Sequence, residues 1–245
     1  MVEQQREDTL FTRERIGGGL QFLISGHERL ETGLEEAHVL DPRAGVSEAD
    51  LQTTTFALER DTRDGPFVPR RGSHARMSAS QTFKREHLAA GGQEKARASA
   101  IEGLIELYRP IRQHLGLAWQ LQGAGRFSSQ DLLSEFERYP LGGAATLRGF
   151  DEQAFRVDRY ALSRAESRWF PGRTGQHVAL FWDHAWTSTR MATDAATRDD
   201  IAQHDAFGFG LRFEGPTGLI RVDYGLEAGR SPSEGKLHLQ LMSSF

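Results

Sequence analysis

The residues best suited to chemistry in this sequence are two closely spaced carboxylates, Asp61 and Asp64, and nine histidines. Two aspartates at this spacing could bind a divalent cation. Arg63 lies between them and Pro66 follows, however, which favours a charged turn. The histidines form no HExxH or HxE pattern, and the sequence contains no GxSxG nucleophile motif. We therefore predict that the chain is not an enzyme, and we expect no catalytic residues, no metal and no cofactor.

The composition narrows the class of protein further. The 245 residues carry a formal net charge of -4, which gives no bulk attraction for nucleic acid. No segment approaches the roughly 18 consecutive apolar residues of a membrane-spanning helix. The mean hydropathy of -0.53 is still compatible with a membrane β-barrel, because each barrel strand needs only one apolar face. The absence of cysteine excludes disulfides and thiolate zinc sites.

The clearest element signal is period-two alternation near the C-terminus, over residues 236–245. Its apolar members are Leu237, Leu239, Leu241 and Phe245. The two preceding segments, 203–214 and 218–228, alternate in the same way. Such alternation predicts antiparallel strands with one apolar and one polar face.

About eleven segments of the chain read as strands, and we see one domain over residues 1–245. Many are longer than ordinary globular strands and suit tilted membrane strands of about 9–11 residues with extensions. The predicted strands are 12–25, 27–39, 50–61, 71–85, 94–109, 111–124, 157–170, 175–187, 203–214, 218–228 and 236–245.

One of these segments, 94–109, also fits a helix. It is rich in helix formers, and Ile101, Ile105 and Tyr108 have helical spacing. Ile101, Gly103, Ile105 and Leu107 have strand spacing instead. We predict a strand, because the segment lies between other strands and shows no capping residue.

The connection 126–156 is the one long segment without periodicity. A loop of roughly 30 residues inside a compact domain is usually functional. Its sequence includes Leu147, Arg148, Gly149 and Phe150. Taken by itself, Arg148 would be an ordinary solvated loop residue, since arginine is mostly exposed in proteins.

Several motifs occur in the order expected of a known family. Residues 139–150 (YPLGGAATLRGF) hold a glycine pair and an Arg-Gly-Phe tip, and residues 61–72 (DTRDGPFVPRRG) hold a charged turn. Residues 181–183 (FWD), the strand pair 209–225 and the terminal Phe245 complete the series. Together they resemble the outer-membrane assembly and translocation barrels, also called the bacterial surface antigen family. That family includes BamA- and TamA-like insertases and two-partner secretion translocators. The turn residues that carry the resemblance are Asp61, Arg63, Asp64, Pro69 and Gly72.

The resemblance implies a fold. The family has a 16-stranded antiparallel transmembrane β-barrel, with the signature loop between its eleventh and twelfth strands. Here about six predicted strands precede the loop and five follow it. We therefore expect an all-β chain that is the C-terminal portion of such a barrel, with the N-terminal strands and the POTRA domains absent. The charged start of the chain, which lacks the apolar region of a signal peptide, leads to the same expectation.

The resemblance also implies a role for the signature loop. In the family this loop folds into the barrel lumen, where its arginine meets a carboxylate on the inner wall. Carried over, Arg148 would pair with Asp183, and Glu166 is a second possible partner. Gly149 would let the tip turn or approach the wall, and Phe150 would pack beneath it.

The function implied by the family is assistance in folding and inserting other outer-membrane proteins. The alternatives are translocation of one exoprotein, as in two-partner secretion, and a passive pore or soluble β-rich binding domain without a client. The expected location is the bacterial outer membrane. Expected partners are outer-membrane lipids and unfolded outer-membrane protein clients, with periplasmic chaperones and accessory lipoproteins as further candidates. No nucleic-acid partner is expected.

Overall fold

A computed structural model of the chain describes residues 2–7, 11–40, 46–88, 90–172, 176–192, 197–215 and 218–242. These residues form a twelve-stranded antiparallel sheet, in which strands pair in chain order, and a separate two-stranded ribbon. The sheet strands are β1 (Val2–Glu7), β2 (Phe11–Ser25), β3 (Glu28–Leu40), β4 (Val46–Asp61), β5 (Gly72–Leu88), β6 (Gln93–Arg112), β7 (Leu115–Ser128), β10 (Arg159–Trp169), β11 (His177–Ala192), β12 (Thr197–Gly215), β13 (Gly218–Glu227) and β14 (Lys236–Met242). The all-β antiparallel prediction is confirmed.

The ribbon lies within the long connection and consists of β8 (Tyr139–Leu141) and β9 (Phe155–Val157). Helical structure in the described residues is limited to two single 3-10 turns, Glu135–Glu137 and Pro232–Glu234. Among these same residues, no helix is long and apolar enough to cross a membrane.

Ten of the eleven predicted strands overlap a single strand of the sheet, and 111–124 overlaps both β6 and β7. The ambiguous segment 94–109 lies in β6, where pairing with both β5 and β7 overrides its helix propensity. The sheet also contains β1, which the sequence pattern did not predict.

Two predicted boundaries around β7 are wrong. Ile111 belongs to β6, β7 begins only at Leu115, and the long connection spans 129–158 instead of 126–156. Pro110 suggested a strand end too early, although it continues the pairing of β6 with β7. Gly125 interrupted the apolar alternation, although it pairs with Ile101 of β6. At the other end of the chain, Phe245 lies outside the described residues.

Alternation along the strands gives the sheet two chemically different faces. The apolar face carries the exposed large side chains, including Leu180 and Phe209, which are 64% and 50% exposed. The polar face carries buried charges such as Asp183 and Asp223. Because the first face is apolar and yet uncovered, it fits contact with lipid chains.

Among the residues that the structure describes, packing between the long connection and the polar face produces two small hydrophobic clusters. One surrounds Phe136, at the start of the connection, and contains Ala37, Val39, Ala49 and Leu51. The other surrounds the tip and contains Leu147, Phe150, Leu162, Ala185 and Ala206. The connection is therefore a packed element that covers part of the sheet.

The edges of the sheet are β1 and β14. Within the described ranges these two strands do not pair, so the sheet is open and has twelve strands. A closed barrel of 16 strands remains a prediction.

Candidate functional site

The tip of the long connection, residues 142–154, is a tight structure held by its own backbone. Gly142 and Gly143 adopt positive φ angles of 112° and 91°, a region that suits glycine. The Thr146 hydroxyl accepts a hydrogen bond from the Gly142 N–H at 2.8 Å, and the Leu147 carbonyl accepts one from Gly143 at 3.0 Å. These contacts position the residue that follows, Arg148.

Arg148 is fully buried against the polar face. Its Nη2 and Nε donate to the two carboxylate oxygens of Asp183 at 2.5 and 2.8 Å, and its Nη1 donates to Glu166 Oε1 at 2.6 Å. The Phe181 ring lies 3.5 Å from the guanidinium carbon. Two parallel bonds to one carboxylate form the bidentate geometry that favours arginine over lysine.

The charge of Arg148 is maintained by this environment. Burial lowers the pKa of Arg148, but its hydrogen bonds to the Asp183 carboxylate and the charges of Glu166 and Asp183 outweigh this effect, so the pKa lies above its ordinary value.

Strand register explains why both carboxylates meet one arginine. Glu166 on β10 lies opposite Phe181 on β11, which makes Asp183 its diagonal neighbour on the polar face. Diagonal neighbours in antiparallel sheets are within reach of long side chains. The structure thus brings the predicted residues Arg148, Asp183 and Glu166 together.

Gly149 allows the tip to lie directly on the sheet. It has a φ of 89°, and a Cβ added at Gly225 of β13 would come within 2.5 Å of the Gly149 nitrogen. Only glycine at both positions permits this backbone approach. The Gly149 N–H donates to Nε2 of His238 on β14 at 3.2 Å, so the tip also touches the edge strand.

Two large apolar residues of the tip, Leu147 and Phe150, belong to one hydrophobic cluster and flank Arg148 and Gly149 in sequence. Leu147 is fully buried in the tip cluster. Phe150 makes edge contacts with the rings of Phe155 and His204, at centroid distances of 5.3 and 5.7 Å. This apolar surround excludes water from the ion pair beside it.

The start of the connection is held by a second buried charge cluster, which the sequence analysis missed. The Lys84 ammonium of β5 is fully buried and lies 2.6 Å from Glu137 and 3.1 Å from Glu86. Ser134 and Gln130 donate to Glu86 at 3.0 and 2.6 Å. The sequence did contain a signal for this cluster. Lys84 and Glu86 are charged, whereas most positions on the same face of the neighbouring strands carry small or apolar residues.

The predicted turn motif forms a compact charged turn. Asp61 accepts two hydrogen bonds from the Arg63 guanidinium, at 2.9 and 2.7 Å, and this bonding raises the pKa of Arg63 above its ordinary value. Asp64 accepts from the Arg70 N–H at 2.9 Å. Gly72 has a φ of 105°, and a Cβ there would lie 2.2 Å from the Thr62 carbonyl oxygen.

The turn and the loop tip are connected through one arginine. Arg168 donates to the Pro69 carbonyl at 3.3 Å and to Glu166 Oε2 at 2.8 Å. Glu166 in turn binds Arg148 through its other oxygen. The motifs that were distant in sequence therefore share one network on the polar face.

A group that could hold a metal ion lies beside the turn. Donor atoms of Glu59, Asp61 and His74 all lie within 4.8 Å of one another. His74 contacts Glu59 and Glu106 at 3.0 Å each, and Asp61 binds Arg63. Because these donors satisfy one another and an arginine, we interpret the group as an ion-pair cluster.

Three further charged residues beside the loop tip had no predicted role. Asp223 of β13 accepts from Arg212 at 2.6 Å and from Arg221 at 2.5 Å, and lies 4.0 Å from Arg148. Their polar-face positions were evident from alternation, but their convergence was not.

The predicted residues Leu237, Leu239 and Leu241 of β14 lie on the apolar face, where they are 73–74% exposed.

The family model described as "Omp85 superfamily domain" matches residues 30–242. Among curated proteins, no relative matches the chain in sequence.

Solved structures with the same fold include BamA from Haemophilus ducreyi lacking POTRA domains 1-3, at a TM-score of 0.72 and 13% identity. The match covers 98% of this chain and 56% of that one. CdiB from Acinetobacter baumannii matches at a TM-score of 0.50 and 13% identity, over 97% of this chain and 51% of that one. The chain thus spans about half the length of the structures it matches.

Proposed function

Because the chain belongs to the Omp85 superfamily, and so to the β-barrel proteins of the bacterial outer membrane, we propose that it helps fold and insert other outer-membrane proteins. The proposed partners are unfolded barrel proteins as clients and membrane lipids against the apolar face. Chaperones and accessory lipoproteins would deliver the clients. The role involves no covalent chemistry, since lipid burial of the client strands drives insertion.

The observation that carries this proposal is the edge strand β14. Its outer edge has no partner among the described residues, and its side chains Leu237, Leu239 and Leu241 point to the apolar face. An unpaired edge offers backbone N–H and C=O groups to an incoming strand. A client strand added there would already have its apolar side chains facing lipid.

The second candidate is translocation of an exoprotein, and the likeness to CdiB is the observation that favours it. A translocated chain would pass along the polar face. In this structure the loop tip occupies that face through Arg148 and Phe150, so translocation would require the tip to leave its site.

Cysteine cross-linking separates the candidates, and the sequence helps because it has no cysteine of its own. Leu239→Cys places a thiol on β14, and Leu180→Cys places one at a similarly exposed position, 64% against 73%, on the interior strand β11. Gln120→Cys places one on the polar face. Each variant is reconstituted in lipid vesicles and given a urea-unfolded barrel client or an exoprotein, both carrying a cysteine.

We expect the barrel client to form a disulfide with Leu239→Cys and not with Leu180→Cys, and to fold faster than in empty vesicles. A cross-link of the exoprotein to Gln120→Cys, without a client cross-link at Leu239→Cys, would show that the function is translocation and not insertion. If neither substrate forms a cross-link, insertion and translocation are both overturned, and a passive pore or a β-rich binding domain without a client remains.

A further inference from the structure

The polar face around the loop tip holds more cations than anions. Three carboxylates lie there, and every one of their six oxygens has an arginine within 4.0 Å: Asp183, Glu166 and Asp223. Five guanidinium groups surround them: Arg148, Arg164, Arg168, Arg212 and Arg221. Five positive charges less three negative charges leave a surplus of two.

The surplus falls on Arg164 and Arg212. Arg164 is 7% exposed, and its Nε and Nη2 have no hydrogen-bond partner among the described residues. Its Nε lies 3.9 Å from Asp183 Oδ2, an oxygen that Arg148 already uses. Nη2 of Arg212 is also unbonded in the described part of the chain, at 3.5 Å from Glu166. Buried donors without acceptors are unusual in native proteins.

Both arginines line one cavity of about 170 Å³ between the polar face and the turn 62–71. A single water molecule occupies only about 30 Å³, so the cavity has room for a polyatomic ligand. Its polar walls are formed mainly by Arg164, Arg168, Arg212 and Arg221, and the carboxylates of Glu106 and Glu166 also line it. Pro66 and Phe67 of the turn close one side.

We propose that this cavity is a binding site for a small oxyanion of the phosphate or carboxylate type. Arg164 and Arg212 would donate to it through the atoms that now lack partners. Guanidinium groups suit this ligand because their planar forks match two oxygens at once. The anion would also offset the buried charge surplus, which three carboxylates leave uncompensated.

The test is anion binding by the protein folded in detergent micelles, followed by calorimetric titration and thermal unfolding. Inorganic phosphate and acetate are compared with chloride at equal ionic strength, which separates tetrahedral from planar oxyanions and both from salt screening. We expect phosphate or acetate to bind and to raise the melting temperature, as any ligand of the native state does. Arg164→Gln should weaken that binding about tenfold or more. The exposed Arg109→Gln, on the apolar face of β6, should leave it unchanged.

Equal melting shifts with oxyanions and chloride in the unmodified protein would overturn the site, and water alone would then occupy the cavity. Unchanged oxyanion affinity in Arg164→Gln would overturn it as well. If that variant does not fold, Arg164→Lys keeps the charge without the fork and should bind phosphate more weakly. None of these measurements uses a client protein, so the site and the proposed insertase function stand or fall separately.

Discussion

Three nitrogen atoms of the Arg148 guanidinium each donate to a carboxylate oxygen and so fix the position of the side chain. The group is fully buried from water. A guanidinium in this setting cannot be replaced without leaving charge behind, because Asp183 is itself fully buried. The neighbouring contact of Gly149 with Gly225 depends on the absence of side chains. Charge and backbone access are thus the two residue-scale requirements of the loop tip.

The first prediction concerns the ion pair. Arg148→Ala and Asp183→Ala should each lower the free energy of unfolding by about 3–5 kcal/mol, since each removes one member of a buried, hydrogen-bonded ion pair. Urea unfolding in micelles measures both, with the exposed Arg109→Ala as control. The double variant should be less damaged than the sum of the two. Additive losses would show that the two side chains do not interact.

The second prediction concerns the glycine contact. Gly225→Ala places a Cβ 2.5 Å from the Gly149 nitrogen, and should displace the tip at a cost of about 1–3 kcal/mol. Trypsin should then cleave faster at Arg148 and Arg156. Gly103→Ala is the matched control, because open space surrounds that strand glycine. Equal cleavage in both variants would contradict close docking of the tip.

At the scale of elements, the long connection is fastened to the sheet at two distant places. The tip binds β10 and β11 through Arg148, while the start binds β5 through Lys84. The turn 62–71 joins the first of these through Arg168 and Pro69. The two anchors share no residue, so each can be altered without changing the other.

The third prediction tests the anchor at the start of the connection. Lys84→Met should destabilise the protein by about 3–5 kcal/mol, because Glu86 and Glu137 would face each other without a cation. Lys95→Met, at an exposed position of the neighbouring strand β6, should have little effect. Adding Glu86→Gln and Glu137→Gln to Lys84→Met should recover most of the loss in urea unfolding. A failure to recover would mean that Lys84 acts by packing instead of charge.

At the scale of the whole molecule, the apolar face is defined as clearly as the network on the polar face. All four tryptophans of the chain lie on it: Trp119, Trp169, Trp182 and Trp186, which are 39%, 52%, 50% and 45% exposed. Exposed aromatics at this density suit the bilayer, where barrels concentrate them near the interfaces. The family assignment places the chain in that environment.

The fourth prediction uses these tryptophans as reporters. In vesicles of brominated phosphatidylcholine, their fluorescence should be strongly quenched, since every tryptophan faces the acyl chains or the interface. Acrylamide in the aqueous phase should quench them weakly. As a control, the urea-unfolded protein should show the opposite order. Strong acrylamide quenching in the folded protein would mean that the apolar face is covered by something other than lipid.

Much of the fold was predictable from the sequence because most strands carry their own alternation of apolar and polar side chains. A strand that faces lipid on one side must alternate apolar and polar side chains. Leu237, Leu239 and Leu241 therefore identify β14 from its own sequence, without information about the neighbouring strand. The signal fails where glycine or proline breaks the alternation, as at Gly125 and Pro110, and there the boundaries of β7 were misjudged. The strand β1 was missed altogether.

The sequence alone identified eleven of the twelve sheet strands, the alternating faces and the motifs that carry the family resemblance, since these depend on residues close together in the chain. Only the tertiary structure decided which charges meet. Lys84 and Glu137 are 53 residues apart. Arg164 lies directly opposite Asp183 in the strand register, but the Asp183 carboxylate bonds to Arg148 of the loop instead. Such contacts depend on strand register and on the path of the loop over the sheet. Neither is encoded in any short stretch of sequence.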